Sequence, residues 1–317
     1  MMRIPLSVLS SLLVSLVLVA YQARAADALD MLEKANEAAG RLNYTGTYFY
    51  HHGEHAEVLR VSHRVDRRGE LHKIEVLDGP HREFLRINDE VYCHMADGKT
   101  IRIDKNAVQR FFPAVVPDDT VNLARYYIPK LGGTDKVAGR ECQVIILEPR
   151  DQFRYTHMLW LDRQTLLPLK TRTVDNHGGP VSMFVFSEIE IGRKPEKAIF
   201  DVRLAGKRVQ AASLASSAQE AGGWSVTAPP GYSSVLEAMR PMPGKKSPVL
   251  HRVYSDGMSN LSVFIEPLVD GDSSLEGLST ENAINIYSRR MAGHKVTAMG
   301  EVPAAALLET ANSIQKK

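Results

Sequence analysis

The spacing of apolar residues changes several times along the chain, and each change marks a new element. Residues 4–20 form an uncharged apolar run behind Arg3. From Asp27 to Leu42 the apolar positions Leu29, Leu32, Ala35, Ala38 or Ala39, and Leu42 recur at helical spacing, which predicts an amphipathic helix. Asp27 and Asp30 suit its start and Gly40 lies near its end. From Tyr44 the period drops to two. Strands are predicted at Tyr44–His52 and Ala56–Val65, joined at Gly53-Glu54, then at Glu70–Asp78, Arg82–Ile87, Glu90–Met95 and Lys99–Ile103. Their short connections imply an antiparallel meander.

Pro113, Pro117 and Pro129 interrupt the alternation between Phe111 and Leu131, with room for a short helix at Asn122–Tyr127. Strands resume at Lys136–Pro149, Arg154–Asp162, Leu167–Asp175 and Val181–Ile191. Residues 26–205 thus read as one long antiparallel sheet with a helix before it, and a curled sheet of this kind leaves a concave apolar pocket. Residues 206–222 are rich in Ala, Ser, Gly and Gln and read as a linker. Residues 223–317 read as a smaller α+β unit. Its expected strands are Trp224–Thr227, Leu250–Tyr254, Leu261–Glu266 and Lys295–Val302. A helix is expected over Thr280–Met291 and a closing helix over Pro303–Ile314.

Composition adds a compartment. The 317 residues are 44% hydrophobic and 24% charged, an ordinary globular balance. Arg3, the apolar run and Ala23-Arg24-Ala25 have the form of a secretory signal peptide, with cleavage expected after Ala25. The mature chain is then expected to be soluble and exported. The net charge of +2 comes from 39 basic and 37 acidic residues; removing Arg3 and Arg24 leaves 37 of each. The basic excess therefore belongs to the export signal, and no nucleic-acid footprint remains. Cys93 and Cys142 are the two cysteines, and an oxidising compartment favours one disulfide between them.

No catalytic constellation stands out. His51, His52 and His55 cluster beside Glu54, but adjacent strand residues point to opposite faces, so no metal site is expected. Gly-x-Ser-x-Gly, phosphate-loop and dinucleotide motifs are lacking, and neither cofactor nor enzyme activity is expected. Tyr44, Tyr48 and Tyr50 share a strand face opposite Phe49. Gly46, between Tyr44 and Tyr48, marks a bulge, a bend or room for a close neighbour. Phe184 and Phe186 also share a face. Such residues are core, or they line a lipid cavity; pattern alone does not separate the two.

Several segments, in order, bring a family into view. They include Leu42-Asn-Tyr-Thr-Gly-Thr-Tyr-Phe-Tyr50, Glu75-Val-Leu-Asp-Gly-Pro-His-Arg-Glu83 and Val137-Ala-Gly-Arg-Glu-Cys-Gln-Val-Ile145. The longest is Pro149-Arg-Asp-Gln-Phe-Arg-Tyr-Thr-His-Met-Leu-Trp-Leu-Asp162. Pro229-Pro-Gly-Tyr232, Arg252-Val-Tyr-Ser-Asp-Gly257 and the stretch Val296–Pro303 follow. By these the chain resembles the RseB/MucB family of periplasmic regulators over nearly all its mature length. The resemblance implies a LolA/LolB-like half-barrel holding a helical plug, then a smaller second domain. It implies binding to the periplasmic region of the anti-sigma factor RseA/MucA, protection of that factor from site-1 proteolysis, and release by lipid or lipopolysaccharide.

On that basis Tyr44, Tyr48, Leu147, Leu159, Leu161, Phe184 and Phe186 are candidate lipid contacts. Arg252, Tyr254 and Phe264 are candidate partner contacts. Self-association into a homo-oligomer is left open. The competing reading is a periplasmic lipid or lipoprotein carrier without a regulatory partner, and the second unit argues against it, since a carrier needs only the half-barrel.

Overall fold

A computed structural model describes residues 6–88, 90–103, 120–201, 209–211, 223–242, 247–268 and 276–317. The predicted linker at 206–222 lies outside the described residues except for 209–211.

The chain opens with α1 (Leu6–Arg41). Cleavage after Ala25 would leave its second half, the part the periodicity predicts. Ala28, Leu32, Ala35 and Ala39 fall on one face, each at most 2% exposed. That face packs against a cluster of Leu123, Tyr127, Ile145, Leu147, Leu159 and Leu161, and farther along against the neighbourhood of Tyr44. Three contacts hold the end of the helix. Tyr44 donates its hydroxyl to Ala39 O at 3.3 Å, Leu42 N donates to Ala38 O at 3.0 Å, and His63 Nδ1 lies 2.6 Å from Leu42 O. These occupy carbonyls that a helix terminus leaves without intrahelical partners.

A meander follows: β1 (Tyr44–His52), β2 (His55–Asp66), β3 (Gly69–Val76), β4 (Arg82–Ile87), β5 (Glu90–Met95) and β6 (Thr100–Ile103). After α2 (Thr120–Tyr126) come β7 (Tyr127–Val137), β8 (Arg140–Pro149), β9 (Thr156–Asp162), β10 (Pro168–Val174) and β11 (Pro180–Ile191). The order in the sheet is β12-β6-β5-β4-β3-β2-β1-β11-β10-β9-β8-β7, where β12 (Val209–Ala211) pairs with β6 in parallel. All other pairings are antiparallel. The two meanders are therefore joined at the centre by β1 and β11, the first and last strands of the antiparallel run.

At that joint the register shifts between Thr47 and Tyr48, leaving Ser187 as the extra residue on β11. A Cβ at Gly46 would lie 2.6 Å from Glu188 O and 2.8 Å from the Phe186 ring. The glycine therefore makes the room that lets Phe186 lie across β1.

The second unit is a six-stranded antiparallel sheet in the order β14-β15-β16-β19-β18-β17. Its strands are β14 (Ser233–Arg240), β15 (Val249–Ser255), β16 (Asn260–Pro267), β17 (Gly277–Glu281), β18 (Ile284–Met291) and β19 (His294–Gly300). One face is covered by α3 (Ala304–Ser313), whose Ala306, Leu307 and Ala311 pack on Leu261, Val263, Ile265, Val296 and Ala298. The short strands β13 (Trp224–Ser225) and β20 (Gln315–Lys316) pair the two ends of the unit.

Three expectations need correcting. Thr280–Met291 is a β-hairpin, not a helix: Asn282, with φ of 54°, turns the chain between β17 and β18. Ile284, Tyr287 and Met291 fall at helical spacing, and this obscured the alternation of a half-buried strand. Secondly, β7 occupies a stretch read as irregular because of Pro129. It is the edge of the large sheet, where proline is tolerated, and Gly132-Gly133 sits in its bulge. Thirdly, Cys93 and Cys142 are free and buried. They stand on β5 and β8, with β4, β3, β2, β1, β11, β10 and β9 between them, so the expected disulfide has no geometry to form.

Candidate functional site: a cavity at the seam of two sheets

A cavity of about 530 Å³ opens where the two sheets meet, a volume within the range of small-molecule pockets. Its apolar wall is Tyr48, Leu59, Phe84, Leu159 and Phe184, all from the large sheet. The second unit contributes Gly257, Met258, Ser259, Asn260 and Glu301. Both units therefore wall the cavity.

Alternation places the aromatic wall. Tyr48 and Phe184 project from the same face of β1 and β11, and their rings meet edge-on at 6.1 Å between centroids. Arg82 pairs with Glu57 at 2.8 Å, and His52 Nε2 lies 2.9 Å from Glu301 Oε1 across the seam.

Beside the cavity the seam is riveted by Arg154, which has no exposed surface. Nη1 contacts Asp151 at 2.5 Å, Nη2 donates to Pro230 O, and Nε lies 2.9 Å from Asp256. The guanidinium carbon lies 4.5 Å from the centre of the Tyr126 ring and 4.8 Å from that of Tyr232. Tyr127 donates its hydroxyl to Asp256 at 2.8 Å. Burial raises Tyr127 and Tyr232 well above the usual phenol range, so both stay protonated. Gly231, with φ of 85°, passes so close that a Cβ there would sit 2.5 Å from Arg154 Nη2 and 2.5 Å from the Tyr126 ring.

Asp256 links the rivet to the cavity. Its Oδ2 faces Arg154 and Tyr127, while Oδ1 accepts from Met258 N at 2.9 Å and Ser259 N at 2.8 Å. The same carboxylate thus bridges the sheets and folds the turn that walls the cavity. A second bridge is Asn285, which donates to Tyr155 Oη at 3.1 Å and to Val302 O at 2.8 Å. The β1–β2 turn abuts the β17–β18 turn, where a Cβ on Gly53 would lie 2.6 Å from Ala283 N.

Of the seven candidate lipid contacts, Tyr48, Leu159 and Phe184 line the cavity. Tyr44 and Phe186 lie in the core around Gly46, and Leu147 and Leu161 lie under α1. The three candidate partner contacts do not form one surface. Arg252 is buried, pairing with Glu237 at 2.7 Å and donating to Trp224 O at 3.1 Å. Tyr254 is buried on the α3 side of the sheet. Phe264 lies on the opposite face, stacked on His251 at 4.2 Å. Sequence reasoning missed His157, Arg154 and Asp256 as members of the site. The signal available was an isolated Arg and His inside a strand-like apolar run.

A wide antiparallel sheet and a smaller sheet sharing a seam cavity define a two-part scaffold, and comparison with known proteins says which one. The family model for the MucB/RseB N-terminal domain matches residues 27–212, and that for the MucB/RseB C-terminal domain matches residues 218–315. The chain belongs to the MucB/RseB family. The sigma factor AlgU regulatory protein MucB of Pseudomonas aeruginosa is 32% identical over 299 residues, covering 92% of each chain. The sigma-E factor regulatory protein RseB of Escherichia coli K12 is 24% identical over 288 residues, 90% of this chain and 89% of that one. Among solved structures, the Pseudomonas aeruginosa MucA/MucB complex superposes with a TM-score of 0.74 at 28% identity, over 92% of this chain and 99% of that chain. MucB in complex with MucA(peri) gives 0.71 at 26% identity, over 91% and 98%. Among the described residues no helix is long and apolar enough to cross a membrane.

Proposed function

We propose that this chain is a periplasmic negative regulator of a sigma-E-type envelope stress response. It binds the periplasmic region of an anti-sigma factor of the RseA/MucA kind and keeps it from site-1 proteolysis. The observation that supports this best is the unbroken correspondence of both halves, in order, to relatives named as sigma factor regulators, one of them solved with MucA.

In this reading residues 1–25 are a cleaved signal peptide, 26–205 a LolA/LolB-like half-barrel with α1 as its plug, 206–222 a linker and 223–317 the partner-binding unit. Tyr48, Leu159 and Phe184 contact a lipid or lipopolysaccharide chain in the cavity. Phe264, on the sheet face away from α3, is the candidate of the original three that remains for partner contact. The protein acts by binding and carries no catalytic residue.

Release follows from the seam. An occupant wedged between the apolar wall and the 257–260 turn changes the free energy of the arrangement that Arg154 and Asp256 hold. If the partner favours that arrangement, occupant and partner weaken each other's binding by the same factor. The test is a pull-down of the mature chain by the anti-sigma periplasmic segment, with and without lipopolysaccharide. Capture that lipopolysaccharide reduces is expected. Absence of any complex overturns the regulatory reading, and capture that lipopolysaccharide leaves unchanged overturns release by lipid.

A further inference from the structure

His63 stands on β2 at the end of α1, and its side chain has no exposed surface. Both of its ring nitrogens face oxygen. Nδ1 lies 2.6 Å from the carbonyl of Leu42, the residue after α1, and Nε2 lies 2.8 Å from Glu70 Oε1. A backbone carbonyl only accepts hydrogen bonds, and so does an ionised carboxylate. A neutral imidazole has one N–H, which would leave one of the two contacts as acceptor against acceptor. Either His63 carries a second proton or Glu70 carries one.

The surroundings place that proton on the ring. Arg86 donates Nη2 to the same Glu70 oxygen, and a guanidinium there favours the carboxylate. The Glu70 and Arg86 side chains are 26% and 33% exposed, so water screens the repulsion between Arg86 and a charged His63. The Tyr44 ring stacks on His63 with centroids 4.7 Å apart, and an aromatic face attracts a cation. The strand register lines up these neighbours: Tyr44 on β1, His63 on β2, His72 on β3 and Arg86 on β4 stand opposite one another in turn. His72 meets His63 edge-on at 5.7 Å. Burial, then the charges of His63 and Arg86, hold His72 well below the usual histidine range, so it stays neutral. Burial holds the Tyr44 hydroxyl well above the phenol range, so it stays protonated. At the end of α1, Arg41 is exposed and pairs with Glu37. Glu70 is thus the counter-ion of His63.

We propose that His63 is a buried imidazolium ion that latches the end of α1 to the large sheet, and that losing its second proton loosens that end. The two acceptors are brought to the ring only in the folded chain. The latch is therefore complete at acidic pH and is lost as the pH rises and the ring gives up the proton. The helix it holds packs on Tyr127, whose hydroxyl holds Asp256 in the seam. The inference does not depend on what the cavity binds.

The experiment reads the imidazole nitrogens of the full mature protein by heteronuclear NMR at pH 7, with His63→Gln identifying the His63 signals by their loss. Both His63 nitrogens are expected to be protonated. In Glu70→Gln the amide donates to Nε2 while its oxygen still accepts from Arg86, and His63 is expected to hold one proton, on Nδ1. Hydrogen exchange at the Leu42 amide, which donates to Ala38 O, reads the latch itself. Its protection factor is expected to fall about tenfold between about pH 6 and about pH 9, the worth of one hydrogen bond to a charged group. In Glu70→Gln it is expected to stay level. An unprotonated nitrogen on His63 at pH 7 overturns the assignment of the charge. Protection that does not change with pH in the unaltered protein, or that falls as much in a folded Glu70→Gln, overturns the latch.

Discussion

At Arg154 a full positive charge is held without solvent by Asp151, Asp256, a carbonyl and three tyrosine rings. Removing one partner of such a pair strands the other. Arg154→Leu is expected to cost about 3–5 kcal/mol, because Asp256 is left buried beside an apolar group. Chemical denaturation of the variant checks this, and a loss near zero would mean that water reaches the seam. His157 makes a pH prediction with a definite sign. Its folded pKa of about 4 lies below its ordinary 6.5. The unfolded chain therefore takes up the proton first, and stability falls as the pH drops from about 6.5 towards 4. Between pH 7 and pH 5 this residue alone accounts for roughly 2 kcal/mol. His251, also held at about 4 by burial, acts in the same direction. The urea midpoint should therefore drop between pH 7 and pH 5, and drop less in His157→Phe.

The elements were largely legible where one physical rule dominated. The period-two run from Tyr44 to Ile103 shows β1 to β6 with their turns, and Gly46 announces a close neighbour, which proves to be Phe186. Legibility failed where position in the sheet overrode local chemistry. Pro129 argues against a central strand, and the sequence does not say that β7 is an edge. The β17–β18 hairpin was hidden because its turn is Asn282-Ala283, weaker as a signal than Asn-Gly. That turn is testable. Asn282 sits at φ of 54°, where a β-branched residue is strained. Asn282→Val should cost about 1–2 kcal/mol and Asn282→Gly should be tolerated. Thermal unfolding of the two variants separates the outcomes; equal melting temperatures would place the strain elsewhere.

For the molecule as a whole, the site was legible as a set of residue types and not as a place. Tyr48, Leu159 and Phe184 were recognisable as wall, whereas Tyr44, Leu147, Leu161 and Phe186 have the same composition and lie in the core. Wall and core residues share strands β1, β9 and β11, so the difference is set by position along each strand relative to the seam. Three of the segments that mark the family, 149–162, 229–232 and 252–257, are far apart in the chain and meet at Arg154. Their distinctiveness reflects the seam. The cysteines make the opposite point, since strand-like surroundings and export suggested a bond that the strand order forbids. Denatured protein purified without reductant should titrate as two free thiols per chain, and none would restore the disulfide. Proteolysis of the partner tests the regulatory role most directly. The anti-sigma periplasmic segment should be cut by the site-1 protease more slowly when the mature protein is present at stoichiometric amounts, and lipopolysaccharide should restore cutting. An unchanged cutting rate at saturating protein would contradict the regulatory role.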